Sequence, residues 1–375
     1  MENELPPESV PDPQPAPDPA ALIATAPAAV VPAVPDAPAY RDRSTGLVIF
    51  GIVQIILGLL AALMVPFMAL GAFMSRLAPG GAAMRPSQFV SGVATYAFIA
   101  AAFLALGIGS VQKKRWSRAL TVVTSWYWLI VGVLVTVLLT AMLPVIMRSA
   151  MAQAQQNAPN APSPDMTTGV MAVIITMIIV FCAFFLVVVP IAFVVFYGRR
   201  DVELTCRYRD PVTRWTDRTP LPVLGASVAF FTGSIYLLLT GLTTPIFPFF
   251  GRYLTGIPAA GCLIALAVLD FYLAFALFRL QSSAWWIAVI AAPVRLLTLV
   301  LTYGRADLMQ AYSKMGWSDA QMQMLNSNPI LRSRIILWWG AIFMLVFFGY
   351  LLWLKRYFKT PVSPPHTEAL PVQAT

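Results

Sequence analysis

Charge is scarce in this chain. Asp, Glu, Lys and Arg make up 11% of its 375 residues, apolar types make up 59%, and the mean hydropathy is +0.75. A soluble chain carries roughly 25% charged residues, so a water-exposed polar surface around one core is excluded. Histidine occurs once, as His366, so a histidine-based metal site is not expected. The three cysteines, Cys182, Cys206 and Cys262, are too few and too scattered for a disulfide framework or a metal cluster. Also missing are a Walker loop, paired catalytic carboxylates, a zinc-protease helix and a membrane Ser/His dyad. No catalytic residue, cofactor or metal is therefore predicted, and a non-enzymatic role is expected.

Long apolar runs are what the chain does have. A hydrocarbon core about 30 Å thick needs about 20 apolar residues per helix. Candidate spans fall at 46–72, 88–110, 119–143, 169–197, 222–244, 257–279, 284–303 and 334–354. Ten-residue strands of alternating polarity are absent, so helices must satisfy the backbone in lipid. The expected class is an all-α polytopic transmembrane bundle of about eight spans.

Orientation follows from Lys and Arg. One set of flanks, from Arg41 and Arg43 through Lys113–Arg118, Arg199–Arg218, Arg279 and Lys355–Lys359, holds sixteen of them; the opposite set holds eight. The richer set should face the cytoplasm, with both termini inside. This bias accounts for the formal charge of +9 without nucleic acid as a partner.

The spans group as four plus four, in halves at 45–197 and 222–357. In each, a short connection bearing tryptophan joins the second span to the third: Gln112-Lys113-Lys114-Arg115-Trp116 and Leu280-Gln281-Ser282-Ser283-Ala284-Trp285-Trp286. Even-numbered units would be parallel copies related by an axis along the membrane normal. Residues 1–44, rich in Pro and Ala, read as a disordered cytoplasmic tail, either a tether or a dock for a Pro-binding partner. Residues 358–375 form a second cytoplasmic tail. Between spans seven and eight, Ser318-Asp319-Ala320-Gln321 reads as a capping box. Nearby Met309, Met315, Met322, Met324 and Leu325 offer an apolar face; the closeness of Met322 and Met324 makes a thioether copper site the sharper alternative.

The linker at 198–221 alternates Arg with Asp, and Pro211, Pro220 and Pro222 bar a long helix. It reads as a topology-fixing cytoplasmic segment or as a site for anionic lipid beside the bilayer. Its run TCRYRDPVTRWTDRTPLPVL, with YSKMGWSDAQ further on, resembles a group of uncharacterised polytopic bacterial membrane proteins. In that group a second cysteine often stands where this chain has Thr219. The resemblance implies the class and no particular activity.

Two formal charges fall near the middle of spans. Asp270 and Arg295 lie about 17 Å and about 20 Å above the tight turn at 280–283 that joins spans six and seven. Each costs about 2.5–3.5 kcal/mol at the membrane centre, so mutual pairing is expected. The pair would be a packing lock, or else a proton or cation site at Asp270 gated by Arg295, with Tyr236, Tyr272 and Thr298 lining a polar path. Lipid-headgroup recognition is the third reading. Under a four-plus-four repeat, their counterparts fall near Ala101 and Trp126. The function expected is solute or ion transport, with a membrane scaffold or sensor binding a partner or lipid as the alternative.

Overall fold

The computed structural model describes residues 41–77, 86–157, 164–306, 309, 313–314, 322 and 335–358. It has eight helices long and apolar enough to cross a membrane, at Ser44–Met74, Phe89–Val111, Arg115–Pro144, Ala172–Tyr197, Leu221–Thr243, Ile257–Phe278, Ser282–Arg305 and Trp338–Phe358. The expected all-α polytopic bundle is therefore present, and this is an integral membrane protein. The tail through residue 40, most of 358–375 with His366, the capping box at Ser318–Gln321, and Met315, Met324 and Leu325 lie outside the described residues.

The helices run in the order α1 (Ser44–Leu77), α2 (Pro86–Val111), α3 (Arg115–Asn157), α4 (Pro164–Ala183), α5 (Val189–Tyr197), α6 (Arg200–Arg209), α7 (Leu221–Thr243), α8 (Ile257–Phe278), α9 (Ser282–Arg305) and α10 (Ile335–Trp353). One π-helical turn, Phe184–Val188, joins α4 to α5. Its cause is local: Pro190 has no N–H to offer the Leu186 carbonyl. That carbonyl lies against Gly132 of α3, where a Cβ would come within 1.9 Å of it. Only glycine fits this crossing.

Within each half the first two spans pack closest and the third packs on the fourth: α1 on α2 and α3 on α5, then α7 on α8 and α9 on α10. The halves meet where α7 lies against α2 and α3. Two departures from expectation stand out. The connection from α7 to α8 is an antiparallel hairpin, β1 (Ile246–Phe249) paired with β2 (Arg252–Thr255). The third span, expected at 119–143, is longer: α3 runs 43 residues to Asn157, about 64 Å at 1.5 Å per residue, and so projects well past the bilayer.

Both sharp turns on the basic face are built alike. Lys113 and Leu280 have φ of 58° and 56°. The Lys113 and Lys114 N–H groups donate to the Ser110 and Gly109 carbonyls, and the Leu280 and Gln281 N–H groups to those of Leu277 and Ala276. This six-to-one and five-to-two pattern is a Schellman cap. It sets the third span of each half antiparallel to the second.

Candidate functional site

On α8 the buried positions run Ala259, Leu263, Ala267, Asp270, Ala274, Leu277. Steps of three and four residues keep them on one face, so Asp270 occupies a core position and is 3% exposed. From α9, Arg295 meets it with both arms of its guanidinium: Nη1 donates to Oδ2 at 3.0 Å and Nη2 to Oδ1 at 2.5 Å. On α7, Gly233 leaves room for the carboxylate; a Cβ there would stand 3.7 Å from Oδ2. The two charges therefore form the bidentate pair that their depths imply.

The three proposed neighbours do not complete a polar path around them. Thr298 is buried one turn from Arg295, but its hydroxyl donates back to the Val294 carbonyl at 2.9 Å. Tyr272 and Tyr236 are 45% and 67% exposed. Each lies two residues beyond a buried position, Asp270 and Ser234 respectively, which is about 200° round the helix. They face away from the pair.

A cavity among the described residues lies elsewhere. Between the halves is a crevice of about 880 Å³ with walls from α2, α3, α7 and α8 and a floor at the linker. From α3 it takes Trp116, Leu120, Thr124, Tyr127, Trp128 and Val131, a single helical stripe. Facing them are Phe103, Phe231, Phe275 and Phe278, with Trp215 at the basic end. Neither Asp270 nor Arg295 lines it. Tyr127 and Trp128, neighbours on α3, both belong to this wall.

The linker holds its own charges. Asp210, 4% exposed, receives Arg214 through Nε at 3.0 Å and Nη2 at 2.9 Å, and the Arg115 N–H at 3.4 Å. The Arg214 hydrogen bonds, helped by that N–H, hold its carboxyl below the usual carboxylate range against the opposing effect of burial. Asp217 takes the Arg115 guanidinium at 3.2 Å and Glu203 takes Arg118 at 3.0 Å. Burial pushes the Cys206 thiol up to about 12 despite nearby Arg118, so it is no nucleophile. The Thr219 hydroxyl, at the position where a second cysteine would stand, donates to the Phe278 carbonyl and ties the linker to α8.

The first half hides polar contacts that a search for charge overlooks. Gln54 Nε2 donates to Thr121 Oγ1 at 3.2 Å, and Ser110 bonds the Leu47 carbonyl and the Tyr197 hydroxyl. The legible cue was a row of hydroxyls, Ser117, Thr121 and Ser125, at one-turn spacing on α3; all three are buried.

A contact in the first half has the same spacing from its turn as the charged pair has from its own. Asp270 follows Phe103, and Arg295 follows Trp128, by the same 167 residues that separate Leu280 from Lys113. Phe103 and Trp128 touch edge to face, with centroids 5.3 Å apart. Phe103 and Trp128 stand two residues beyond Ala101 and Trp126. Comparison of the chain with protein families, curated proteins and solved structures finds no match.

Proposed function

We propose that this integral membrane protein is a non-catalytic scaffold or sensor of the bacterial inner membrane that holds lipid between two parallel four-helix halves, its basic face and termini cytoplasmic. The crevice carries the reading. Its walls are aromatic and aliphatic, which suits hydrocarbon and penalises a desolvated polar solute. Transport called for a polar route to Asp270. Instead both carboxylate oxygens are held by Arg295, and the crevice runs past the pair without either residue in its wall. Asp270 and Arg295 are then a lock between α8 and α9, matching in place the Phe103–Trp128 contact. The like caps and like contacts support the reading of the halves as copies, and the sequence resemblance supports the bacterial setting.

The test is lipid retention. Purified protein, washed in mild detergent, should keep about one lipid per chain in native mass spectrometry. Ala102→Phe with Val228→Phe, which fill the crevice from opposite walls, should abolish retention while leaving the thermal midpoint within a few degrees. Equal retention by the filled variant would contradict the proposal. So would ion flux through proteoliposomes that vanishes in the Asp270→Asn, Arg295→Met double variant.

A further inference from the structure

The crevice is shaped for an extended chain. Along α3 its wall runs from Trp116 to Val131, about 22 Å at 1.5 Å per residue, enough to take in one leaflet's hydrocarbon depth of about 15 Å. A hydrocarbon chain of that length has room in the void of about 880 Å³. The hydroxyls on the wall belong to Thr124, Tyr127, Ser227 and Thr232, and that of Ser227 already donates to the Val223 carbonyl.

The basic end of the crevice has a definite charge pattern. Arg115, Arg118 and Arg214 are bound to Asp217, Glu203 and Asp210. Lys113, Arg218 and Arg279 have no carboxylate in salt-bridge range among the described residues. All three adjoin crevice walls. The exposed Arg279 guanidinium stacks 4.2 Å above the Phe275 ring, which lines the void. Arg218 closes the short turn that carries Trp215, and Trp215 meets Phe278 edge to face at 5.5 Å. Lys113 sits in the cap that leads to Trp116. The nearby carboxylates Asp210 and Asp217 are occupied by arginines, so nothing at this rim is arranged for the ammonium of a zwitterionic headgroup.

We propose that the crevice takes an acyl chain of an anionic glycerophospholipid whose phosphate is held by Arg279, with Arg218 and Lys113 adding positive charge at the same rim. This rests on the lipid-binding reading and adds the headgroup class and the residue that selects it. Of the linker arginines, Arg207, Arg209 and Arg214 are neutralised within the protein, and Arg218 is left to the rim. The selecting cation comes from the end of α8.

The test uses the full chain in nanodiscs of equal phosphatidylglycerol and phosphatidylcholine, followed by mild extraction and native mass spectrometry. The retained lipid should be phosphatidylglycerol over phosphatidylcholine by at least about five-fold. Near a membrane surface each cation is worth about five-fold in binding an anionic lipid, so Arg279→Gln should cut the preference by about that factor. Arg279→Lys should keep most of it, and Arg279→Gln with Arg218→Gln should remove it. Retention without headgroup preference, or a preference unchanged in Arg279→Gln, overturns this inference and leaves the lipid reading standing. Unchanged retention by Ala102→Phe with Val228→Phe defeats the lipid reading and this inference with it. A second polypeptide chain held in place of lipid overturns both.

Discussion

The two halves arrange their helices alike and place their polar groups oppositely. Near the basic face, α3 of the first half buries Ser117, Thr121 and Ser125, whereas α9 of the second buries Ala284, Ala288 and Ala292, each 167 residues later. Deeper in the membrane the contrast reverses: the first half sets Phe103 against Trp128, and the second sets Asp270 against Arg295. Even the side-chain bond from the third span to the end of the fourth is kept with a different donor. Arg118 Nε reaches the Tyr197 carbonyl, and Trp285 Nε1 reaches that of Leu351. One contact position holds an aromatic pair in the first half and an ion pair in the second. A buried charge at such a position is then one way of fastening two helices, and a functional path needs separate support.

The largest effect should come from breaking that equivalence on one side. Arg295→Met strands Asp270 in the core and should cost about 3–5 kcal/mol, read as a fall in the unfolding midpoint in a fixed detergent. Asp270→Phe with Arg295→Trp installs the first-half contact beside the room left at Gly233 and should recover most of the loss. A double variant as unstable as the single one would mean that the two positions are not equivalent.

A smaller effect sharpens the comparison from the other half. Thr121→Val deprives buried Gln54 of its hydrogen-bond partner and should cost about 1–3 kcal/mol. Replacing Gln54 by Phe and Thr121 by Ala makes the contact wholly apolar, as it is around Phe230 and Ala288. Stability should then return to within about 1 kcal/mol of wild type, measured by the same unfolding assay.

The smallest effect concerns the segment between the halves. The folded-state carboxyl of Asp210 is depressed, so its contribution is fully present above the unfolded value near pH 4 and is lost as pH falls through the lower folded value. Hydrogen exchange in the linker should therefore be flat from pH 5 to 8, after correction for intrinsic rate, and should rise only below about pH 4. Asp210→Asn should remove that acid-dependent step.

Much of the fold was legible because hydrophobic length is a strong signal in lipid. The span at 257–279 is observed at Ile257–Phe278 and that at 222–244 at Leu221–Thr243. The Asp270–Arg295 contact was legible too, since two charges at one depth on adjacent antiparallel helices have few other partners. Tyr236 and Tyr272 were misplaced because depth alone was considered; the 3.6-residue period turns both to the outer surface. The β1–β2 hairpin was missed because Ile246–Thr255 is apolar and aromatic, like the spans on either side. The crevice needs the separation between α3 and α8, which no single segment encodes. Its stripe from Trp116 to Val131 was in view, yet an aromatic stripe reads equally well as core.

An experimental structure of the full chain in nanodiscs rich in phosphatidylglycerol tests the central claim most directly. The account predicts a continuous chain of density between α3 and α8, about one leaflet deep, ending in a phosphate at Arg279. A crevice closed by direct contact of Trp128 with Phe275, or a water-filled path reaching Asp270 from the basic face, would contradict it.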